Sequence, residues 1–279
     1  MTSDDMHMIR YIEELSLNAW PSYRIELYDG WLIRFSHNYT YRTNSVEQVG
    51  PSAIPIPEKI RYCEQIYRDF GTPAHFKINP LIDPSFDRML EDRGYGIRHV
   101  TEVMTADLSR INIMKPIRSE YEFENRLGLP SCIHYNNEIS VLLSPDVTDE
   151  WIHGLFHLNG TTDPTLRRIV PSMYRAIPKK TLCASIEIDG RIVATGLGIF
   201  DRDYVGVYAI YVSPGCRRRH YARAICSTLL REGRELGASR AYLQVVKGNI
   251  NARSLYLSLG FCDHYTYWFR SRNTLNGAD

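Results

Sequence analysis

A run of arginines lies between an apolar segment and an amphipathic segment in the second half of the chain. The stretch Tyr204–Val212 is rich in β-branched and aromatic residues and stops before Pro214, which predicts a strand. Beyond Arg219, apolar side chains recur with the spacing of one helix face. A loop between a strand and a helix N-terminus offers free backbone N–H groups and the positive end of the helix dipole. Arg217, Arg218 and Arg219 add further positive charge. We therefore expect this loop to bind an anion such as pyrophosphate.

The segment Asn249–Phe261 predicts a short helix with a defined start and a defined end. Asn249 is a residue type that begins helices, and Gly260 is a residue type that ends them. A further strand is expected at 241–246, between the helix that follows the arginines and this short helix. The short helix presents Tyr256, one of the 19 tyrosines of the chain, at a fixed angle.

Together the two segments resemble the Gcn5-related N-acetyltransferase (GNAT) family. The acetyl-CoA loop of that family reads Arg/Gln-x-x-Gly-x-Gly/Ala after a Val-x-Pro strand end, and Arg217 and Ala222 fit this pattern. Its other motif, Asn-x-x-Ala-x-x-Leu-Tyr-x-x-x-Gly-Phe, is matched in register by Asn249, Ala252, Leu255, Tyr256, Gly260 and Phe261. The resemblance covers slightly less than the C-terminal half of the chain.

The loop departs from the family's pattern at His220, which stands where the family has its first glycine. A glycine there lets a phosphate approach the backbone closely, whereas we expect a histidine to keep a helical φ and turn its ring away. A solvated helix start and a nucleic-acid contact are the other interpretations of the arginine run. Since the sequence lacks a wider basic surface with interleaved aromatic residues, the phosphates of a cofactor are the favoured partner.

The resemblance implies that a primary amine attacks the thioester of acetyl-CoA. In this family, backbone N–H groups at the end of the strand before the loop stabilise the oxyanion. Tyr256 matches the residue that gives a proton to the departing thiolate, and the ordinary pKa values of a thiol and a phenol, ~8.5 and ~10, suit that transfer. The residues expected to bind the cofactor are Ile210, Tyr211, Val212, Arg217, Arg218, Arg219, His220, Tyr221, Ala222 and Asn249.

The sequence does not single out a general base. Many family members have a glutamate on the strand before the loop, but Tyr204–Val212 contains no carboxylate. Glu187, Asp201 and Asp203 lie on neighbouring predicted strands or turns, and Tyr208 could hold a water for one of them. An amine of modest pKa would need no dedicated base.

The chain also repeats itself. Gly94 aligns with Gly260, and Val46 aligns with Val212, at one and the same offset along the sequence. An Asp-Gly turn that predicts a hairpin occurs at 29–30 and again at 189–190. Each copy is therefore expected to contain helices, a hairpin leading into a third strand, a helix, a strand, a short helix and a last strand. This order predicts an α/β fold of two tandem GNAT-like domains, each a mixed β-sheet flanked by helices, with two unrelated α/β domains as the alternative.

The first copy lacks the residues that would bind a cofactor. Its loop Pro51–Pro57 contains no arginine, and three of its seven residues are prolines without an N–H. Leu90 stands at the position equivalent to Tyr256. We therefore predict that 1–115 is a degenerate GNAT-like domain that lines the substrate pocket, and that 116–279 is the catalytic GNAT domain.

Composition excludes several classes of partner. The formal net charge is +1, from 33 basic and 32 acidic residues, so no nucleic-acid or membrane partner is expected. The six cysteines are scattered, which predicts reduced thiols and a cytoplasmic protein. His153 and His157 have the spacing of two metal ligands on a helix, but without a third ligand we expect packing or solvent exposure, and no metal cofactor.

The sequence thus predicts an N-acetyltransferase that moves the acetyl group of acetyl-CoA to a primary amine of a small molecule. An amine of a protein or peptide is the less favoured acceptor. The alternative is a non-catalytic acyl-CoA-binding or sensing protein, in which His220 has weakened the phosphate loop.

Overall fold

Thirteen strands pair side by side in one mixed sheet in the computed structural model, which describes residues 2–122 and 127–272. The first half of the chain forms α1 (Ser3–Ala19), β1 (Arg24–Tyr28), β2 (Trp31–Phe35), β3 (Val46–Gln48), α2 (Ile56–Asp69), β4 (His75–Ile78), α3 (Pro84–Asp92) and β5 (Gly96–Asp107). The second half forms β6 (Arg118–Glu120), β7 (Cys132–His134), β8 (Ser140–Ser144), α4 (Asp149–Asn159), α5 (Pro164–Arg175), β9 (Lys180–Ile188), β10 (Arg191–Asp201), β11 (Tyr204–Val212), α6 (Tyr221–Glu235), β12 (Arg240–Val246), α7 (Ile250–Leu259) and β13 (Cys262–Ser271). Within those described ranges, no helix is long and apolar enough to cross a membrane.

The secondary structure repeats as the sequence predicts. Helices α3 and α7 begin at Pro84 and Ile250, and strands β5 and β13 begin at Gly96 and Cys262. Both pairs of starts are separated by the offset that aligns the glycines of the two copies. Each half contains an antiparallel hairpin, β1–β2 or β9–β10, and a parallel pair, β3–β4 or β11–β12. The mixed α/β fold with a twofold repeat is therefore confirmed.

The two halves exchange their last strands. The order across the middle of the sheet is β4-β13-β5-β12, so β13 lies between two strands of the first half. Strand β5 in turn lies between β13 and β12, pairing antiparallel with both. The predicted boundary between 1–115 and 116–279 falls in the segment that links β5 to β6. The domain boundary at 115 and 116 stays a prediction, and the sheet runs across it.

A buried ion network lies beside the exchanged strands. The Lys77 Nζ of β4 is 2.7 Å from Glu13 of α1 and 3.3 Å from Glu47 of β3, and Arg34 pairs with Glu47 at 2.9 Å. The hydroxyl of Tyr265 in β13 donates to Glu13 at 2.6 Å. Burial opposes the charge on Lys77, but the two carboxylates outweigh it, and the pKa of this lysine is raised.

Helix α6 lies close to the sheet because β10 has a glycine beneath it. A side chain at Gly196 would place its Cβ 2.3 Å from a methyl carbon of Ile225. Ile225 and Leu229 of α6 are fully buried against this part of the sheet. The close approach fixes where the N-terminus of α6 points relative to the end of β11.

Candidate active site

Strands β11 and β12 part halfway along their length. Their parallel pairing runs from Tyr204 to Val207 on β11, so the edge of β11 beyond Val207 has no described partner strand on that side. A bulge at the same place bends β11, since the pairing with β10 shifts between Thr195 and Leu197. A strand edge without a partner strand can offer backbone N–H groups to an oxyanion, which is the role expected for the end of β11.

The bulge contains a strained residue held by a buried threonine. Ala209 has a φ of +50°, a conformation that residues other than glycine rarely adopt. The Thr195 hydroxyl, on a fully buried side chain, donates to the carbonyl oxygen of Ala209 at 3.0 Å. Strain of this kind persists only where neighbouring contacts enforce it, and it is often found at functional sites.

The arginine loop leads directly into the N-terminus of a helix, as its sequence predicts. Helix α6 begins at Tyr221, and within the described chain the residue before it, His220, makes no side-chain capping bond. The first N–H groups of the helix are therefore available to a ligand. The loop turns through two left-handed residues, Arg218 at a φ of +66° and His220 at +62°.

The expectation that His220 keeps a helical φ is wrong. The residue takes the left-handed conformation that a glycine would adopt at low cost, and its side chain is exposed. The turn into α6 is therefore made with a left-handed residue, as a glycine would make it.

The equivalent loop of the first half is already filled by a carboxylate. Asp29, from the β1–β2 turn, accepts hydrogen bonds from the backbone N–H groups of Ala53 and Ile54, at 3.0 and 2.9 Å. It also accepts from the Ser52 hydroxyl at 2.7 Å and pairs with the buried Lys59 at 3.2 Å. The bond from Ser52 and those from the two N–H groups lower the pKa of Asp29. An internal anion therefore takes the position that a phosphate would need.

A cavity of about 1170 Å³ lies between the gap and the arginine loop. Nearly all of the predicted site residues line it together. Those that do are Ile210, Tyr211, Val212, Arg217, Arg218, His220, Tyr221, Ala222, Asn249 and Tyr256. Arg219 is exposed and does not line it.

A second cavity, of about 570 Å³, lies on the other side of the gap. Its walls come from both halves of the chain: Trp20, Tyr39 and Arg42 from the first, and Tyr174 and Tyr208 among others from the second. The two cavities meet at a shared set of residues. These are Ile210, Tyr211, Asn249, Ala252 and Tyr256.

Tyr256 lies where the two cavities meet because α7 is fixed at both ends. Asn249 Oδ1 accepts from the Ala252 N–H at 3.3 Å at the start of the helix, and Gly260 ends it at a φ of +102°. The Tyr256 side chain is 8% exposed. Burial raises the pKa of Tyr256 well above its usual range, and the nearby Cys226 and Tyr211 add to the rise. The phenol therefore stays protonated and can donate a proton or a hydrogen bond.

None of the three carboxylates considered as a general base lines either cavity. Glu187 is exposed on β9. Asp201 is paired with Lys179 at 2.9 Å, and Asp203 accepts from the Tyr11 hydroxyl at 2.8 Å. Tyr208 does line the second cavity, where its hydroxyl is hydrogen-bonded to that of Tyr242.

The sequence led us to expect that the first half lines the substrate pocket, but it did not single out Trp20, Tyr39 or Arg42, which line the second cavity. Sequence reasoning also missed a group at the far edge of the sheet, where ligand atoms of Glu120, Cys132 and His134 lie within 4.8 Å of one another. The predicted pair His153 and His157 is exposed on α4.

Residues 148–261 match the family described as "Acetyltransferase (GNAT) family", and residues 6–157 match that described as "Probable histone acetyltransferase Rv0428c C-terminal". The uncharacterised N-acetyltransferase YobR of Bacillus subtilis is 25% identical over 260 residues, which cover 92% of this chain and 95% of that protein.

Solved structures show the same fold. A GCN5-related N-acetyltransferase from Kribbella flavida has a TM-score of 0.66 at 13% identity, over 95% of each chain. A tandem GNAT protein from the clavulanic acid biosynthesis pathway has a TM-score of 0.59 at 12% identity, over 84% of this chain and 76% of that one. The chain belongs to the GNAT family and is an acyl-CoA-dependent N-acetyltransferase. Members of this family use acetyl-CoA as co-substrate and act on amines.

Proposed function

We propose that the protein transfers the acetyl group of acetyl-CoA to the primary amine of a small molecule. The observation that carries this proposal is the meeting of two cavities at Tyr256. The cavity beside the arginine loop is assigned to the cofactor, and the cavity built from both halves is assigned to the amine. At about 570 Å³ the second cavity has the size of a small-molecule site.

The cofactor assignment rests on the fit of the loop to a pyrophosphate. The uncapped N-terminus of α6 and the left-handed residues Arg218 and His220 present N–H groups and positive charge to the cavity. Acetyl-CoA supplies the activated thioester when bound. The remaining cofactor contacts are assigned to the predicted residues that line this cavity, Ile210, Tyr211, Val212, Arg217, Tyr221, Ala222 and Asn249.

Different groups of the chain are assigned to the oxyanion and to the departing thiolate. The free edge of β11 beyond the bulge supplies backbone N–H groups for the oxyanion that forms when the amine attacks. Tyr256 then gives its proton to the departing thiolate sulfur. The attacking amine must be neutral, and none of the three candidate carboxylates lines the second cavity to take its proton.

The six cysteines are all free thiols, which suits a reducing compartment, and a cytoplasmic location is part of the proposal. No metal has a role in this mechanism.

The test is release of free thiol from acetyl-CoA in the presence of a panel of small primary amines. We expect turnover that saturates with amine and yields the N-acetyl product by mass spectrometry. Binding of acetyl-CoA without turnover on any amine would support the acyl-CoA-sensing alternative. Acetylation of peptide amines alone would overturn the small-molecule assignment.

A further inference from the structure

The acceptor cavity contains a half-buried arginine that is held by neutral groups. Arg42 lies in a single helical turn at Tyr41–Thr43 and lines the cavity from the first half of the chain. Its Nε donates to Gln244 Oε1 at 2.6 Å and to the Tyr267 hydroxyl at 2.8 Å. Both of these bonds leave from Nε, so the two terminal nitrogens of the guanidinium make no hydrogen bond to a described residue.

The other basic groups buried near the exchanged strands are paired with acids. Arg34 pairs with Glu47 at 2.9 Å, and Lys77 pairs with Glu13 and Glu47. In contrast, no carboxylate in the described ranges forms an ion pair with Arg42. A charge that is partly removed from water is stabilised by a counter-ion.

The Arg42 guanidinium also acts electrostatically on β11, the strand whose free edge is assigned to the oxyanion. Burial raises the pKa of Tyr211 on β11, and the Arg42 charge opposes that rise. Tyr211 lines both cavities, so Arg42 acts on the place where acceptor and cofactor meet.

We propose that the acceptor amine carries a carboxylate and that Arg42 binds it through the terminal guanidinium nitrogens. This inference rests on the assignment of the second cavity to the acceptor. A guanidinium fork matches the two oxygens of a carboxylate and holds it in one orientation. The amine is thereby directed toward Tyr256 and the free edge of β11.

A carboxylate suits this cavity better than a phosphate does. Arg42 is the one cation among its described lining residues, and Asp163 is the one acid. A phosphate monoester carries a charge of about −1.5 to −2 at pH 7, which a single guanidinium leaves uncompensated. Aromatic side chains, Trp20, Tyr39 and Tyr174 among them, form much of the remaining wall and suit an apolar linker between amine and carboxylate.

The experiment compares amino acids with their primary amides as acceptors, in the wild type and in Arg42→Gln. Any intrinsic difference in amine reactivity cancels when each acceptor is compared between the two proteins. We expect kcat/KM to fall about 10- to 100-fold for the amino acids and less than about 3-fold for the amides. Arg42→Lys keeps the charge but not the fork, so its kcat/KM for the amino acids should lie between that of the wild type and that of Arg42→Gln. Arg61→Gln, an exposed arginine on α2, is the matched control and should change neither series.

A parallel fall for both series would make Arg42 a purely structural residue and overturn the proposal. A wild-type preference for amines that carry a phosphate would overturn it too. If Arg42→Gln does not fold, inhibition of the wild type by propionate against propionamide decides, and the proposal requires the carboxylate to inhibit more strongly. Acetylation of plain alkyl amines without any effect of a carboxylate would refute this inference alone. Acetylation of no amine at all would refute the proposed function.

Discussion

His220 has a backbone conformation that side chains rarely adopt, at the point where the loop turns into α6. The sequence identified this position as the family's glycine but could not give its φ. A histidine can follow either a helical or a left-handed path, and the choice depends on how the loop must reach the helix. The geometry of the turn, and not the residue type, determined the outcome.

Replacing His220 by glycine should therefore hold or improve the affinity for acetyl-CoA. Glycine relieves the left-handed strain, and its greater freedom in the unfolded chain offsets part of that gain, so the free energy of unfolding should change by less than ~1 kcal/mol. His220→Ala is the matched control, because it removes the ring and keeps the strain. Calorimetry and chemical denaturation measure both quantities. A loss of affinity in both variants would mean that the imidazole itself binds the cofactor.

Tyr256→Phe tests the proton-transfer role at the meeting point of the cavities. The ring stays and the hydroxyl is lost, so kcat and kcat/KM should fall together by ~10²–10⁴-fold with little change in the Kd of acetyl-CoA. Tyr62→Phe on α2 is the control and should keep full turnover. Because burial raises the pKa of Tyr256, its hydroxyl stays protonated to a higher pH than an exposed phenol. The wild-type rate should thus show no fall from this group below pH ~10. Unchanged turnover in Tyr256→Phe would leave the thiolate to be protonated by solvent.

Strand β11 contains an irregularity that no sequence pattern revealed. Its bounds, Tyr204–Val212, are those predicted, because β-branched and aromatic residues dominate the segment. The bulge at Ala209 was not predicted, since an alanine in a strand carries no signal for a positive φ. The hydrogen bond from Thr195 joins residues on different strands, and sequence spacing alone does not show it.

Thr195→Val should uncouple the bulge from β10 without changing the size of the side chain. The carbonyl of Ala209 loses its donor, which should lower the free energy of unfolding by about 1 kcal/mol. Turnover should fall as well, because the free edge of β11 is no longer held at one angle to the gap. Thr181→Val is the matched control: its hydroxyl donates to the carbonyl of Pro145 at 3.0 Å, and neither residue lines the assigned site. Equal turnover losses in the two variants would show that the bond to Ala209 has no special part in catalysis.

At the scale of the whole molecule, the duplication could be read from the sequence, but the exchange of strands could not. The aligned glycines and Asp-Gly turns predicted the order of elements that the two halves share, because turns and helix ends have local signals, but not the strands β6, β7 and β8. Which half a last strand pairs with depends on contacts between residues far apart in sequence. The sequence predicted that the first half lines the substrate pocket, but for the same reason it did not single out Arg42.

Lys77→Met should destabilise the whole chain and not one half of it. The substitution leaves Glu13 and Glu47 buried without their shared cation beside the exchanged strands, at a cost of about 3–5 kcal/mol. Denaturation should remain a single transition with a lower midpoint, because the sheet is continuous. Lys180→Met, at an exposed end of β9, is the control. Two separate transitions would contradict the account of one shared sheet.

The number of acetyl-CoA molecules that bind per chain, measured by calorimetry, tests whether the cofactor binds to the second half alone. The arginine loop is open to an anion, whereas its counterpart in the first half is filled by Asp29, so one acetyl-CoA should bind per chain. Arg218→Glu should weaken that binding at least about 10-fold by charge repulsion at the helix N-terminus. The matched change in the other loop, Ala53→Glu, should alter neither the Kd nor the stoichiometry. Two equivalent sites per chain, or equal losses from the two substitutions, would contradict the assignment of the cofactor to the second half.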